Sequence, residues 1–568
     1  MLQQAFTNPK PPAAVVILLC LSLFFPFLGA RDFWENESHY AEVIRIMLLD
    51  GDYLLPKVND FFFTASPPLF FWMGAFLSWL AGGVGEWTVR LPSALSATEL
   101  VLLVYVFIRR RFDSRLAFFS AVVLAASVLT VHVERHIPVN SLFYLLIAAA
   151  MFFAMELVVF DSERRSHAYG AWLCMALACL TNGPLGLFFP FVVVGIYLAL
   201  SRRRARVASL RVFPGALIFL VVTAPWFVYL VWTGTVDWLE SILVHLRFTG
   251  HRGPDHQIFF SFPLAFAPWC LLFIPAAIGL WRDKSRFWHP PALYFFIWFA
   301  VGLFFSEVSF GKHNHYLFLA YIPVAVAVGH YLVKLAATER SDAVWVWTNY
   351  SVNISCLLFL LLGVGLPVVM WYRWPFIAPS VAICSVVMSS VAVAILYGWK
   401  RHGNLGLLAG YAAYSLLANL LLQSVIFPEL NKRKLRPLAE KVGMALAANP
   451  GSQLVIFNHR IAHEFNYYSR IKKIEFLDLG SADAILDQAG RQFVLLKSKD
   501  MVKVARLPLR DPQVVFHGAV GVEPWVLMFS CKEDCDRVPS KAQTFDESLG
   551  IAADSGRHHS QENLIPGR

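Results

Sequence analysis

The sequence predicts a polytopic α-helical membrane protein with a soluble α/β domain at its C-terminal end, and three observations predict it. Only 15% of the 568 residues are charged, against about 25% in a soluble chain. The mean hydropathy is +0.56, and apolar runs recur from Ala13 to Phe427, most of them close to the roughly 20 residues a crossing helix needs. Beyond Asn431 these runs stop, and short strand-like segments alternate with helical ones.

In order, the expected spans are 13–30, 92–109, 116–133, 141–160, 169–182, 184–200, 212–232, 262–280, 291–306, 316–334, 350–371, 376–397 and 404–427, about thirteen in all. The first imitates a signal peptide, with Lys10 before it and Leu28-Gly29-Ala30 at its end. Leu28 is a poor residue where cleavage wants a small side chain, so the helix is expected to be retained. The stretch 67–81 is short for a crossing and opens with Pro67-Pro68, so it reads as a partly embedded helix that does not cross.

Arginine placement orients these spans. Arg109, Arg110, Arg111 and Arg115 fill one loop, Arg164 and Arg165 another, and Arg202, Arg203, Arg204, Arg206 and Arg211 a third. Arg282, Lys284 and Arg286, then Lys334 and Arg340, then Lys400 and Arg401 continue the series in alternate loops. By the positive-inside rule these loops are cytoplasmic. The net charge of +10 is thereby explained by topology; no aromatic–basic stripe on a soluble module accompanies it, and no nucleic-acid partner is expected. The N-terminus is then cytoplasmic, and residues 31–92 form one outer loop too long for a passive connection.

Residues 1–430 are thus expected to be the membrane domain, 431–535 an outer α/β domain and 536–568 a polar, disordered tail. Within the outer domain, Lys432–Ala448 reads as a helix, and Leu454–Phe457, Ile474–Leu477, Phe493–Leu496, Val514–Phe516 and Trp525–Phe529 as strands. Six of the eight cysteines lie in apolar segments as packing residues; Cys531 and Cys535 are spaced for a local disulfide in an oxidising compartment.

The stretch Arg31 to Glu42 holds four carboxylates, Asp32, Glu35, Glu37 and Glu42, where the first span hands over to a loop. Such clustering at a bilayer boundary marks a candidate site. Arg247, Arg252 and His256 lie in one outer loop, and Lys312, His313 and His315 in another. Outer loops here are otherwise poor in positive charge, so these are candidate phosphate ligands, with lipid-headgroup contact as the plainer reading. A divalent metal held by Glu37 with His256 or His39 is conceivable, but no fixed spacing supports it and no metal is assigned. Phe61-Phe62-Phe63 and 67–72 suit an isoprenoid chain, and equally suit ordinary interfacial aromatics.

The first loop resembles that of the polyprenyl-phosphate-sugar-dependent glycosyltransferases with the C-type membrane fold, within them the aminoarabinose lipid A transferase family, related to the protein mannosyltransferases. The matching stretches are Asn36-Glu37-Ser38-His39-Tyr40-Ala41-Glu42, Gly51-Asp52-Tyr53-Leu54-Leu55-Pro56, Pro67-Pro68-Leu69-Phe70-Phe71-Trp72 and Arg90-Leu91-Pro92-Ser93-Ala94. Gly183-Pro184-Leu185-Gly186, Ala224-Pro225-Trp226, His245-Leu246-Arg247-Phe248, Pro268-Trp269 and Lys312 through Tyr316 follow in the same order. The resemblance implies a bacterial inner-membrane enzyme with an interfacial, helical first loop and a periplasmic C-terminal domain. It implies transfer of a sugar from a polyprenyl-phosphate donor to a lipid A-like or other envelope acceptor; the chain is expected to act as a monomer, with no cofactor assigned and a divalent metal left open.

The departures bear on mechanism. The family's first acid, taken as the catalytic aspartate, aligns with Asn36, and a second aspartate with Asn140; lysines expected before Pro67 and Gly183 are Ser66 and Asn182. Transfer needs a base for the acceptor, unless the acceptor is already anionic, and cations for the leaving lipid phosphate. Glu37, which retains the second family acid, ranks first as base. Asp32 is held in reserve, with pairing to Arg31 or helix capping as its plain alternative. Asn36 can hydrogen-bond a hydroxyl but cannot take its proton. Glu42 reads as a helix-surface residue, and Asn140 stands with Arg135 and His136 at a helix start. Two other readings are a family-derived protein that binds lipid-linked sugar without catalysis, and a transporter, against which charges within the spans are scarce, Glu99 and Glu156 being the clearest.

Overall fold

The computed structural model describes residues 13–33, 36–59, 61–63, 66–128, 130–131, 138–234, 266–282, 289–308, 314–336, 343–373, 375, 377–431, 435–457, 464–477, 491–501, 513–520 and 523–531. It divides into two compact units: Met1–Ala439 with Ala462–Lys473, and Glu440–Ile461 with Ile474–Arg568.

The first unit is helical. It begins with α1 (Ala13–Phe24), then α2 (Asn36–Asp50), a two-strand hairpin of β1 (Lys57–Val58) and β2 (Phe61–Phe62), and α3 (Leu69–Leu80). Helix α3 is closed at both ends, by Pro68 and by Ala81 with its following glycines. At 12 residues it is about 18 Å long, well short of the roughly 30 Å hydrocarbon core. The long helices follow: α4 (Glu86–Arg111), α5 (Ser114–Ala125), α6 (Pro138–Val158), α7 (Arg165–Asn182), α8 (Leu185–Leu200) and α9 (Val212–Trp232). Then come α10 (Cys270–Arg282), α11 (Pro290–Val308), α12 (Phe318–Ala336), α13 (Ala343–Arg373), α14 (Ala378–His402), α15 (Asn404–Leu421) and α16 (Phe427–Asn431).

Every segment expected to span contains a helix, and among the described residues eight helices are long and apolar enough to cross a membrane. Their ends follow from local chemistry. Asp113 accepts hydrogen bonds from the N–H groups of Arg115 and Leu116 at 2.7 and 3.0 Å, capping α5. Glu86 opens α4 and Arg109, Arg110 and Arg111 close it, each favourable to the helix dipole. Gly183, at φ +72°, ends α7, a conformation that glycine adopts without strain. A Cβ at Gly186 would sit 2.5 Å from the Cys179 nitrogen, so α7 and α8 approach at backbone contact.

The core runs through α1, α4, α5, α6, α11 and α12 and includes Leu23, Val104, Phe152, Trp298 and Tyr321. Polar ties cross it: the Asn419 amide donates to the Leu23 carbonyl at 3.0 Å and the Tyr294 hydroxyl to the Met151 carbonyl at 2.9 Å. The outward faces remain apolar. In α13 only 11% of the most apolar stretch is buried. A water-exposed helix would carry polar residues there, whereas lipid accepts this face. The chain is a multi-pass membrane protein.

The second unit is built on a five-stranded sheet in the order β4-β3-β5-β7-β6. Its strands are β3 (Gln453–Phe457), β4 (Glu475–Leu477), β5 (Arg491–Lys497), β6 (Gln513–Val520) and β7 (Glu523–Cys531). Strand β3 pairs parallel with β4 and β5, and β7 pairs antiparallel with β5 and β6. Val455, Phe457, Val494, Leu496, Val526 and Met528 pack one face, at the two-residue period of a strand. Helix α17 (Arg436–Ala447) begins in the first unit and ends in the second. A sequence boundary near 431 therefore differs from the structural one: Arg436 and α18 (Glu464–Ser469) belong with the membrane unit, because Phe465, Tyr467 and Tyr468 are buried there.

Candidate functional site

Asp32 and Glu37 lie at the handover from α1 to α2, as the carboxylate cluster suggests, and both are buried. Each Glu37 oxygen accepts from two arginines. Oε1 receives Arg31 Nη2 at 2.8 Å and Arg90 Nε at 3.2 Å; Oε2 receives Arg31 Nη2 at 2.7 Å and Arg90 Nη2 at 2.9 Å. All three side chains are no more than 2% exposed. Burial, with repulsion from Arg90, lowers the Arg31 guanidinium to about 10 against the pull of Glu37, so it stays charged at neutral pH.

Arg90 does more than balance charge. Its Nη1 donates to the carbonyls of Leu28 and Arg31 at 2.6 and 2.8 Å, and its Nη2 to the carbonyl of Asp32 at 3.2 Å. It thereby ties the chain leaving α1 to the start of α4. An arginine in the first turns of an apolar helix is costly unless satisfied, and here it is fully engaged. In the sequence Arg90 stands two residues before the expected span at 92 and only as part of a matched stretch; the structure carries the helix back to Glu86 and so encloses it.

Asp32 pairs with Arg436, Oδ1 to Nη1 at 3.0 Å, and not with Arg31. The same Arg436 nitrogen reaches Glu86 at 2.9 Å, and its guanidinium lies 5.0 Å from the centre of the Tyr468 ring. The Tyr468 hydroxyl accepts from the Phe33 N–H at 2.9 Å and donates to Glu86 at 3.2 Å. Burial, reinforced by the Glu86 and Asp32 charges, holds that phenol well above its usual range, so it remains a donor. Arg436 and Tyr468 are some 400 residues from their partners, and no local sequence signal announces them.

Glu42 corrects a further expectation. It is fully buried, not on a helix surface, and Arg45 holds both of its oxygens at 2.6 and 2.7 Å. Burial raises its carboxyl above the ordinary value, outweighing Arg45. Asn36 lies in the first turn of α2 and Asn140 is buried at the start of α6; the Asn36 side chain lies outside the described residues. Ser66 is buried and Asn182 ends α7. Arg135, His136, Arg247, Arg252, His256, Lys312 and His313 lie outside the described residues, as does the side chain of His315, whose backbone is in the Asn314–Leu317 turn. Among the described residues no three His, Cys, Asp or Glu side chains gather as a metal site, and the two oxygens of Glu37 are already engaged by arginine. Glu156, one of the few charges within the expected spans, pairs with Arg111.

Among the described residues the arrangement leaves little free basicity beside α2. A general base needs a lone pair aimed at the proton it removes. Those of Glu37 face two guanidinium groups, which is at odds with its ranking as the base. Apolar surface adjoins: Leu48, Tyr53, Leu54, Trp72, Ala75, Phe76 and Trp79 line an open groove of about 420 Å³ between α2 and α3.

Residues 65–232 match the profile of the dolichyl-phosphate-mannose-protein mannosyltransferase family. An undecaprenyl phosphate-alpha-4-amino-4-deoxy-L-arabinose arabinosyl transferase of Erwinia tasmaniensis is 27% identical over 420 residues, 70% of this chain and 73% of that one. The crystal structure of ArnT from Cupriavidus metallidurans in the apo state superposes with a TM-score of 0.74 at 21% identity, covering 91% of this chain and 97% of that one. The same protein bound to undecaprenyl phosphate gives the same score. At this identity the structural likeness establishes a shared fold.

Proposed function

From the premise that this chain is a membrane glycosyltransferase of the C-type fold, we propose that it moves a sugar from a polyprenyl-phosphate donor to an anionic, lipid A-like envelope acceptor. The observation that carries this reading is the engagement of both Glu37 oxygens by Arg31 and Arg90, beside a neutral Asn36. A hydroxyl acceptor needs a base to become a nucleophile. A phosphate acceptor arrives ionised, and a site whose described carboxylates, Asp32, Glu37 and Glu42, are each paired with arginine suits it, since another unpaired negative charge there would repel it. Likeness to enzymes named for undecaprenyl phosphate donors supports the donor class.

In this account Glu37 organises the loop, and Asp32 is the carboxylate in reserve for any residual proton transfer. Arg247, Arg252, His256, Lys312 and His315 supply the cationic face that stabilises the departing lipid phosphate, and Asn36 and Asn140 offer hydrogen bonds to sugar or acceptor oxygens. The reaction runs on the periplasmic face of a bacterial inner membrane, with about thirteen crossings, a cytoplasmic N-terminus, and residues 31–92 and the C-terminal α/β domain outside.

Purified protein incubated with labelled polyprenyl-phosphate sugar and an envelope lipid extract is expected to label a phosphorylated lipid. Donor binding without transfer would defeat this proposal and favour the non-catalytic reading. Sugar counter-flow in proteoliposomes would favour the transporter.

A further inference from the structure

We propose that Arg436 and Tyr468, which lie beyond the last apolar helices, are positioning residues of the transfer site. The inference rests on the transferase reading for its activity arm only. Six buried or half-buried charged groups meet at the α1–α2 handover: Arg31, Arg90 and Arg436 against Asp32, Glu37 and Glu86. Their charges balance only when Arg436 is present. Without it Asp32 and Glu86 lose a shared cation, and a poorly hydrated carboxylate pair repels itself.

Tyr468 acts on the backbone of the same segment. Its hydroxyl takes the buried Phe33 N–H, one residue from Asp32 and three from the start of α2. Phe33 itself is held by two contacts, with the Tyr467 ring edge-on at 4.9 Å and the Arg90 guanidinium 5.1 Å from its ring centre. Around them, the Tyr467 hydroxyl donates to the Val84 carbonyl at 3.0 Å, the Asn466 amide to Asn59 at 3.2 Å, and Arg45 to the Ile471 carbonyl at 3.4 Å. Lys472 meets Asp50 at 2.9 Å. The segment 464–472 therefore touches the first loop at its start, middle and end. Arg436 and Tyr468 thus reach Asp32 and the entry to α2 directly, fixing where Asp32 and the start of α2 stand, whereas the residues proposed to hold the donor phosphate are other ones.

The test compares Arg436→Gln, Arg436→Lys and Tyr468→Phe in the full-length protein. Arg436→Gln is expected to lower kcat about tenfold, with the KM for donor within about twofold, and Arg436→Lys to restore most of it; Tyr468→Phe, which leaves a buried N–H without its acceptor, is expected to lower kcat about threefold. Hydrogen exchange read on peptides covering residues 31–42 is expected to quicken in Arg436→Gln and Tyr468→Phe, with peptides from α12 unchanged. A fall in kcat that only tracks the folded fraction would overturn the proposal, as would unchanged exchange at 31–42. If the wild-type protein transfers no sugar, the functional reading fails, and exchange alone decides the positioning role.

Discussion

Two sets of arginine–carboxylate pairs in this chain use the same chemistry in opposite surroundings. At the α1–α2 handover, Arg31, Glu37 and Arg90 are at most 2% exposed. In the arginine-rich loops beside α7 and α9, Arg203 and Arg206 pair with Asp161 and Glu163 at 2.8 to 3.0 Å, yet the side chains are 30% to 87% exposed. Distance alone does not separate the two sets; water does. An exposed pair is screened and contributes about 0–1 kcal/mol. Breaking a buried pair leaves an uncompensated charge at a cost of about 3–5 kcal/mol. The loop pairs stay solvated, while the buried set holds the segment proposed to carry transfer in one conformation.

The largest expected effect comes from Glu37→Gln. Losing its charge leaves Arg31 and Arg90 facing each other without a counter-ion, and the account predicts a loss of about 3–5 kcal/mol in stability together with loss of transfer. Thermal unfolding in detergent and a transfer assay on the same sample decide the matter. Abolished turnover with unchanged stability would return Glu37 to the role of base and break the comparison.

Glu42 gives a smaller, pH-dependent effect. Burial raises its carboxyl above the ordinary 4.5, so the folded state holds that proton more tightly than the unfolded one. This contribution is complete below the ordinary value and is lost as pH rises through the raised value. Glu42→Gln should flatten that decline in midpoint temperature between mildly acidic and neutral pH; parallel curves for the two proteins would contradict it. The smallest effect is expected at Arg203→Ala, at about 0–1 kcal/mol; a loss as large as that of Glu37→Gln would erase the distinction drawn above.

Much of the fold is legible in the sequence because lipid imposes a strong periodic demand. Apolar length places the helices, Pro67-Pro68 and the glycines after Leu80 bound α3, and each strand expected from 454 to 529 is present. The candidate site is less legible. Clustering of Asp32, Glu37 and Glu42 shows that something is built there, but partners decide what each acid does: Glu37 adds Arg90, 53 residues on, to its neighbour Arg31, and Asp32 takes Arg436, 404 residues on. Pairing across hundreds of residues leaves no spacing to read. The same limit explains why Glu42 reads as a surface residue: its helix carries Arg45 one turn on, a pattern common on solvated faces, and only the fold shows that Glu42 is covered.

The central claim is that the acceptor brings the negative charge that the site's own acids do not supply. The most direct measurement is transfer of labelled sugar from one polyprenyl-phosphate donor to two matched lipid A-type acceptors, one phosphorylated and one dephosphorylated. The account predicts transfer to the phosphorylated lipid and none to its dephosphorylated partner, at equal donor occupancy. Equal rates with both acceptors would contradict it and would require a general base beside α2.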